Sequence, residues 1–207
     1  ALPSEREIME RYGVGRPAVR EALQNLEWMG LISINHGERA RVAQPTFRLL
    51  LDRVALAAGR ILQDSPQGLD ELKLARVLVE GRMVRQAAER ATPQDVARLR
   101  ARLDDHRASL SDMRRFLHAD MLFHREIAAV TGNSIYPALE EALFGWLGAF
   151  YRDLVRIPGA EHITLAEHAR ILDAIAANDG DAAERAMTEH LTRANDLYRR
   201  AQAASES

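Results

Sequence analysis

From Thr46 to the C-terminus the chain offers no convincing strand, only long helical periods cut by caps and breakers, and this limits its possible folds more than any other feature. The spacing predicts helices over Phe47–Gln63, Leu69–Ala91, Pro93–Ala108 behind Thr92 as N-cap, and Asp112–Val130 behind Ser111. Three more follow at Ser134–Arg156, at Leu165–Ala177 behind Thr164, and at Asp181–Ala203. Ser65-Pro66-Gln67-Gly68, Gly132, Pro158-Gly159 and Gly180 separate them. Seven helices on short connections bury their apolar stripes against one another, so an antiparallel α-helical bundle is expected.

The first 42 residues are organised differently. Ser4 with Glu7 three residues on makes a capping box for a short helix over Glu5–Tyr12, which Gly13 ends. After Gly13-Val14-Gly15, Pro17 pushes Arg16 to an extended conformation and opens a second helix as its first residue. In that helix Val19, Ala22, Leu23 and Leu26 form a core stripe, and Gly30 stops it. Leu31–Ile34 and Arg39–Val42 then read as a hairpin around Asn35-His36-Gly37-Glu38. Helix, tight turn, helix and hairpin make a winged helix-turn-helix. The fold expected is therefore mostly α: a winged helix-turn-helix domain over 1–44, then an all-α bundle over 45–207.

Composition narrows the chemistry. The 207 residues include no cysteine, which excludes disulfides, thiolate zinc fingers, iron–sulfur clusters and thiol nucleophiles, so any metal must be held by His and carboxylate. No uncharged apolar run reaches the ~18 to 20 residues of a bilayer span, and Ala1–Glu10 carries acids where a signal peptide is apolar. A cytoplasmic protein without a membrane partner is expected. A net charge of -2 does not suit wrapping nucleic acid over a whole surface, but leaves room for a local reading head.

That head is the second helix. Arg16 and Arg20 lie one turn apart at its N-terminal end, off the core stripe, where arginine can bond guanine bidentately in the major groove. Arg6 is placed to brace a phosphate, and the wing tip His36-Gly37, with Arg39 and Arg41, to approach the backbone or the minor groove. Taken singly, the helix arginines serve equally well in surface ion pairs with Glu5, Glu7 and Glu21. The order of capped helix, Gly-x-Gly turn, Pro-started helix and hairpin decides for double-stranded operator DNA.

In the helical region Asp120 and His124 stand at i and i+4, about 40° apart on one helix face, a spacing suited to chelation. His168 and His190 come from two other predicted helices and can converge with them inside a bundle. Three imidazoles and a carboxylate suit Zn, Ni, Co, Mn or Fe, and an octahedral ion would keep positions open for a small molecule. His118 lies about 200° around its helix from Asp120. It, His106 and His162 read as surface or packing residues.

Leu2-Pro3-Ser4-Glu5-Arg6-Glu7, Gly13 through Leu23 and Gly30-Leu31 together resemble the GntR family of bacterial transcriptional regulators. The resemblance implies that Arg6, Arg16, Arg20, His36 and Gly37 are operator-contacting positions. Members carry a further helix before the Leu-Pro-Ser-Glu-Arg segment, and this chain begins inside it. Asp120 through Ile127, Thr131-Gly132-Asn133, Glu167 through Ile171 and Glu189-His190-Leu191 resemble the metal-binding branch of the FadR-type subfamily. There the matching Asp and three His hold a divalent ion, commonly zinc. The same branch places an arginine in the effector cavity, and Leu74-Ala75-Arg76 with Glu80 occupies that place here. A guanidinium beside an under-coordinated metal implies capture of a small carboxylate. The alternative is that Arg76 pairs with Glu80 on an exposed face. Asn133 is a further cavity candidate, or simply the cap after a helix stop. The wing Ile34–Val42 and the stretch from Pro158 to His168 resemble the sialic acid regulators of this subfamily.

The expected function is a homodimeric, ligand-responsive regulator that senses a carboxylate, possible examples being sialic acid or another sugar or organic acid. A metal-sensing regulator is the alternative. A metal-dependent hydrolase is disfavoured, because there is no His-Glu-x-x-His, no repeated Glu-x-x-His and no clear general base beyond Glu167. No enzyme is expected.

Overall fold

A computed structural model describes residues 1–35, 38–44, 46–150 and 160–205, so the wing-tip pair His36 and Gly37 lies outside the described residues. The chain divides into two compact units, residues 1–54 and 55–207.

In the first unit α1 spans Glu5–Tyr12. The Glu7 N–H donates to Ser4 Oγ (3.3 Å), while Glu7 Oε2 accepts from Ser4 N–H (2.6 Å) and Oγ–H (2.7 Å). These two bonds from Ser4 hold the Glu7 carboxyl below its usual range. Gly13 ends the helix at φ +66°, a left-handed conformation that costs glycine nothing. Helix α2 spans Arg16–Trp28 behind Gly15 as N-cap. Arg16 is thus itself helical and Pro17 second, one residue off the expected start. An N1 residue lies outside the ladder that a following proline disrupts, and its N–H needs no intrahelical partner. Of the expected stripe, Val19 is buried and Leu23 and Leu26 half-buried, while Ala22 faces outward. The hairpin is shorter than its apolar pattern: β1, Ile32–Ser33, pairs antiparallel with β2, Arg41–Val42, with Ile32 opposite Val42 and Ser33 opposite Arg41. Leu2 N–H donates to Ala40 O (2.6 Å), tying the N-terminus to the hairpin.

Helix α3 runs over Phe47–Asp64, and the division between the units falls inside it. There follow α4 (Gly68–Arg90), α5 (Pro93–Ala108), α6 (Met113–Val130), α7 (Tyr136–Phe150), α8 (Ala160–Ala176) and α9 (Gly180–Ser205). A capping box of Thr92 and Asp95 sets the start of α5. Asp112, not Ser111, caps α6, because its carboxylate accepts from both Arg114 N–H and Arg115 N–H. Thr164 is not a cap at all. Thr164 lies inside α8, which is already helical at Ala160, and its hydroxyl oxygen accepts from Arg193 on α9 (3.2 Å).

The main core joins Val84, Ala87 and Ala88 of α4 to Leu99 and Leu103 of α5, to Phe116, Phe123 and Ile127 of α6, and to α8 and α9 through Ile171, Ile175, Ala183 and Met187. Alanines at 87, 88 and 183 let α4 and α9 pack closely, and Arg85 clamps the pair by donating to Asp181 and Glu184. A smaller cluster of Leu72, Leu143 and Leu147 packs with Leu62 and Trp146. Gly68 is required where α3 turns into α4: a Cβ there would stand 1.9 Å from Leu62 O.

Candidate metal centre and nucleic-acid interface

Arg6, Arg16 and Arg20 are all exposed in the first unit. Arg6 Nε lies 3.5 Å from Glu10 Oε1 and Arg16 Nε 3.6 Å from Glu5 Oε2. Exposed pairs of this kind are worth about 0 to 1 kcal/mol, so a phosphate or base edge competes for these arginines at little cost.

In the second unit three helices bring four side chains together. Helix α6 supplies Asp120 and His124, α8 supplies His168, and α9 supplies His190, with one ligand atom from each within 4.8 Å of all the others. His168 Nε2 is 3.3 Å from His190 Nε2 and 3.5 Å from Asp120 Oδ1. Donors about 2.0 to 2.1 Å from a tetrahedral zinc stand roughly 3.3 to 3.4 Å apart, so both spacings fit such an ion. His124 Nε2 is buried with no hydrogen-bond partner, which leaves its lone pair for a cation. The three histidines are buried, while Asp120 keeps 17% of its side chain exposed and marks the open side.

The ring nitrogens facing away from this set are fixed from behind. His124 Nδ1 donates to Glu80 Oε2 of α4 (2.7 Å), and His190 Nδ1 donates to Glu167 Oε2 of α8 (2.8 Å). An ionised carboxylate only accepts, so both imidazoles carry their proton on Nδ1 and offer Nε2 forward. Burial alone would raise the Glu80 carboxyl, yet Arg76 and His124 hold it well below the usual range. Glu167 is likewise held down against burial by His190 and Arg193. Arg193 grips both Glu167 oxygens, at Oε1 through Nε and at Oε2 through Nη2 (2.6 Å). The carboxylate next to His168 in sequence therefore serves His190, and it is fully engaged. Burial first, and then the neighbouring imidazoles, push His168 well below its usual value. His190 is lowered as well, burial outweighing Glu167. Both are neutral, as ligation requires.

Arg76 matches the pairing of the second alternative but not its exposed setting. It pairs with Glu80 (Nε to Oε1, 2.6 Å), but in the interior rather than on an exposed face, with its guanidinium 4.4 Å over the Phe144 ring. Asn133 stands at a helix stop: Gly132 has φ +76°, and Asn133 Oδ1 accepts from Ile135 N–H (3.0 Å). His118 and His162 are exposed. His106 is fully buried, its ring against Phe116 and His168.

Glu140 of α7 is a part of the site that sequence reasoning missed. It is buried beside Glu80 and His124, and burial together with Glu80 pushes its carboxyl well above the usual range. A signal was available: Glu140 lies on the same face as Leu143 and Leu147, a carboxylate on an apolar stripe.

A winged helix-turn-helix ahead of an all-α unit with three buried His and a half-buried Asp defines a class of regulator that couples a DNA-reading domain to a sensory one. The sequence comparisons agree. Residues 1–42 match bacterial regulatory proteins of the gntR family and residues 71–193 match the FCD domain, so the chain belongs to the GntR family, in its FadR-type, FCD-bearing branch, and is a ligand-responsive transcriptional regulator. Among its relatives, the HTH-type transcriptional repressor NanR of Cronobacter sakazakii is 40% identical over 207 residues, covering 99% of this chain and 78% of that protein. NanR of Enterobacter sp. is 41% identical over 192 residues, 92% of this chain and 74% of that one. The solved structure of Streptococcus agalactiae GntR shares the fold, with a TM-score of 0.66 at 22% identity over 92% of this chain and 86% of that one. No described helix is long and apolar enough to cross a membrane.

Proposed function

We propose that this chain is a cytoplasmic repressor that binds a two-fold operator as a homodimer and responds to a small carboxylate held between a divalent ion, first choice zinc, and Arg76. The observation that carries the reading is the converging set of half-buried Asp120 and buried His124, His168 and His190, joined through Glu80 to a buried guanidinium. The ion would supply positive charge and a coordination position for an oxygen ligand. Asp120, His124, His168 and His190 would hold it. Glu80 links it to Arg76 by accepting from His124 with one oxygen and from Arg76 with the other. Arg76 then supplies the fork that recognises a carboxylate. Asn133, at the helix stop ahead of α7, is kept as a second ligand contact.

A sugar acid such as sialic acid is the first proposed effector and a smaller organic acid the second. Repression is the proposed mode because the relatives are named repressors. Arg16 and Arg20 would read bases, while Arg6 and the wing residues His36 and Gly37 would hold the backbone. A two-fold dimer would present two such heads to a palindromic or repeated site. Support for a dimer comes from α4, where Leu74 and Leu78, one turn apart, are 72% and 70% exposed. Leu78 also borders a groove of about 500 Å³ lined by Val79, Met83, Tyr136 and Leu139. Hydrolysis would need a base, and Glu167 is committed to His190 and Arg193.

An effector alters operator occupancy only if it binds the DNA-competent and DNA-incompetent states with different affinity, and ~1 to 3 kcal/mol of coupling suffices. The test is Arg76→Gln in the full chain, since an amide still donates to Glu80 and does not strand a buried carboxylate. Calorimetry with sialic acid and a panel of small carboxylates identifies binders, and operator titration with each measures the response. Arg76→Gln is expected to keep its metal and its ligand-free operator affinity while losing the response. Binding of uncharged compounds only, or a normal response in Arg76→Gln, overturns the carboxylate reading.

A further inference from the structure

The three histidines of the set differ in what stands behind them. His124 and His190 each have a carboxylate on Nδ1, whereas His168 Nδ1 is buried and finds no hydrogen-bond partner among the described residues. A ligating imidazole that offers Nε2 keeps its proton on Nδ1, and metal-bound histidines almost always donate that proton to an acceptor. His168 stacks on Phe123, with ring centroids 4.4 Å apart, which offers no acceptor in the ring plane. The polar ring packed against it that is not itself a candidate ligand is His106 of α5, with centroids 5.1 Å apart and planes inclined at 45°.

His106 is unusual on its own account. It is fully buried, and neither Nδ1 nor Nε2 has a hydrogen-bond partner among the described residues. A neutral imidazole brings one donor and one acceptor, so leaving both unused in the interior costs stability that an apolar side chain of similar size would not lose. Two buried imidazoles thus stand side by side, one in need of an acceptor once its other nitrogen is ligated, the other holding one unused.

We propose that His106 is the positioning residue of His168, accepting from its Nδ1–H directly or across one water and so holding the ring with Nε2 toward the ion. This rests on reading Asp120, His124, His168 and His190 as metal ligands. Each histidine of the set then has its own rear partner: Glu80 for His124, Glu167 for His190 and His106 for His168. The third partner carries no formal charge.

A packing role and a positioning role predict different zinc affinities. If His106 only fills space, His106→Leu, of similar size and without the two unused nitrogens, keeps the metal-free protein as stable as wild type and leaves zinc affinity unchanged. If it positions His168, then His106→Leu removes two unsatisfied nitrogens. The metal-free chain then melts no lower than wild type while zinc affinity falls by about 10- to 100-fold, as for other outer-sphere partners.

The experiment measures thermal unfolding of metal-free full-length chain, and zinc affinity by competition with a chromophoric chelator, for wild type, His106→Leu and His106→Gln. The glutamine variant keeps an acceptor oxygen and is expected to retain most of the affinity. A side-chain ¹⁵N spectrum of the zinc-loaded wild type is expected to show a protected His168 Nδ1 proton. A zinc affinity of His106→Leu within twofold of wild type overturns the proposal. So does a His106→Gln variant as weak as His106→Leu, or an unprotected His168 Nδ1 proton. A wild-type chain that binds no zinc, nickel, cobalt, manganese or iron would instead remove the metal reading beneath it, a failure the same titration distinguishes.

Discussion

Acidification of the metal-free protein is expected to destabilise the second unit well above the pH at which ordinary carboxylates titrate. Burial holds the imidazoles of His106, His168 and His190 below their usual value of about 6.5. In the unfolded chain all three take up protons as pH falls through that value, while in the folded chain burial delays the uptake to lower pH. Stability rises with pH wherever the unfolded state binds more protons, so here it is lost as pH falls below about 6.5. Glu140 works the other way: its folded carboxyl is raised and keeps a proton that the unfolded one has released. Between about pH 5 and 6 the balance is at most three protons favouring the unfolded state against one favouring the folded. The limiting slope is therefore about 2.7 kcal/mol per pH unit, at 1.36 kcal/mol per proton. With a urea m-value of about 2 kcal/mol/M, the midpoint should fall, by up to about 1.3 M over that unit. The assay is urea unfolding of chelator-treated protein followed by tryptophan emission. Exposed Trp28 is changed to Phe, so that Trp146, packed on Leu72, Leu143 and Leu147, reports the second unit alone. A midpoint that stays flat or rises between pH 6 and pH 5 refutes the reasoning.

Elemental analysis of carefully purified protein is expected to find close to one divalent ion per chain. His124→Ala, His168→Ala and His190→Ala should each lose most of it, while exposed His118→Ala should not; equal loss in that control would sink the assignment. Arg16→Ala and Arg20→Ala are each expected to weaken operator binding by about 1 to 3 kcal/mol with unchanged helical content, and Arg6→Ala to weaken specific and unrelated sequences alike. Parent-like affinity in both recognition-helix variants would remove the reading head from α2. Leu78→Glu, which sets a charge on the exposed apolar face of α4, is expected to shift the protein from dimer to monomer in sedimentation; an unchanged mass would place the dimer contact elsewhere.

Local signals were legible and tertiary ones were not. The Ser4–Glu7 box and the Thr92 N-cap are read from spacing alone, and α1 and α5 carry the expected bounds, because a cap lies within four residues of the groups it serves; Asp95 as the reciprocal partner of Thr92 comes only with the structure. Thr164 has the same chemistry but a different fate: the residues before it are competent for helix, and its hydroxyl is taken by Arg193, 29 positions away. The i, i+4 pair Asp120 and His124 is visible in the sequence for the same local reason. The Glu80 that orients His124 lies 44 positions off, and the Glu167 that orients His190 lies 23 off, beside the wrong histidine. Only packing shows which nitrogen each carboxylate serves. Arg76 shows how an either-or question can be too narrow, since it is both ion-paired and buried.

The spread of the four ligands along the chain has a consequence for the polypeptide as a polymer. An ion held by His124 on α6 and His190 on α9 would tie together points about 65 residues apart, as a cross-link does. By the loop-closure relation used for disulfides, such a tie is worth about 4 kcal/mol in lost freedom of the unfolded chain. A protein with no cysteine would thereby have a staple indifferent to redox state and removable by a chelator. Protease resistance of α9 would then track metal supply.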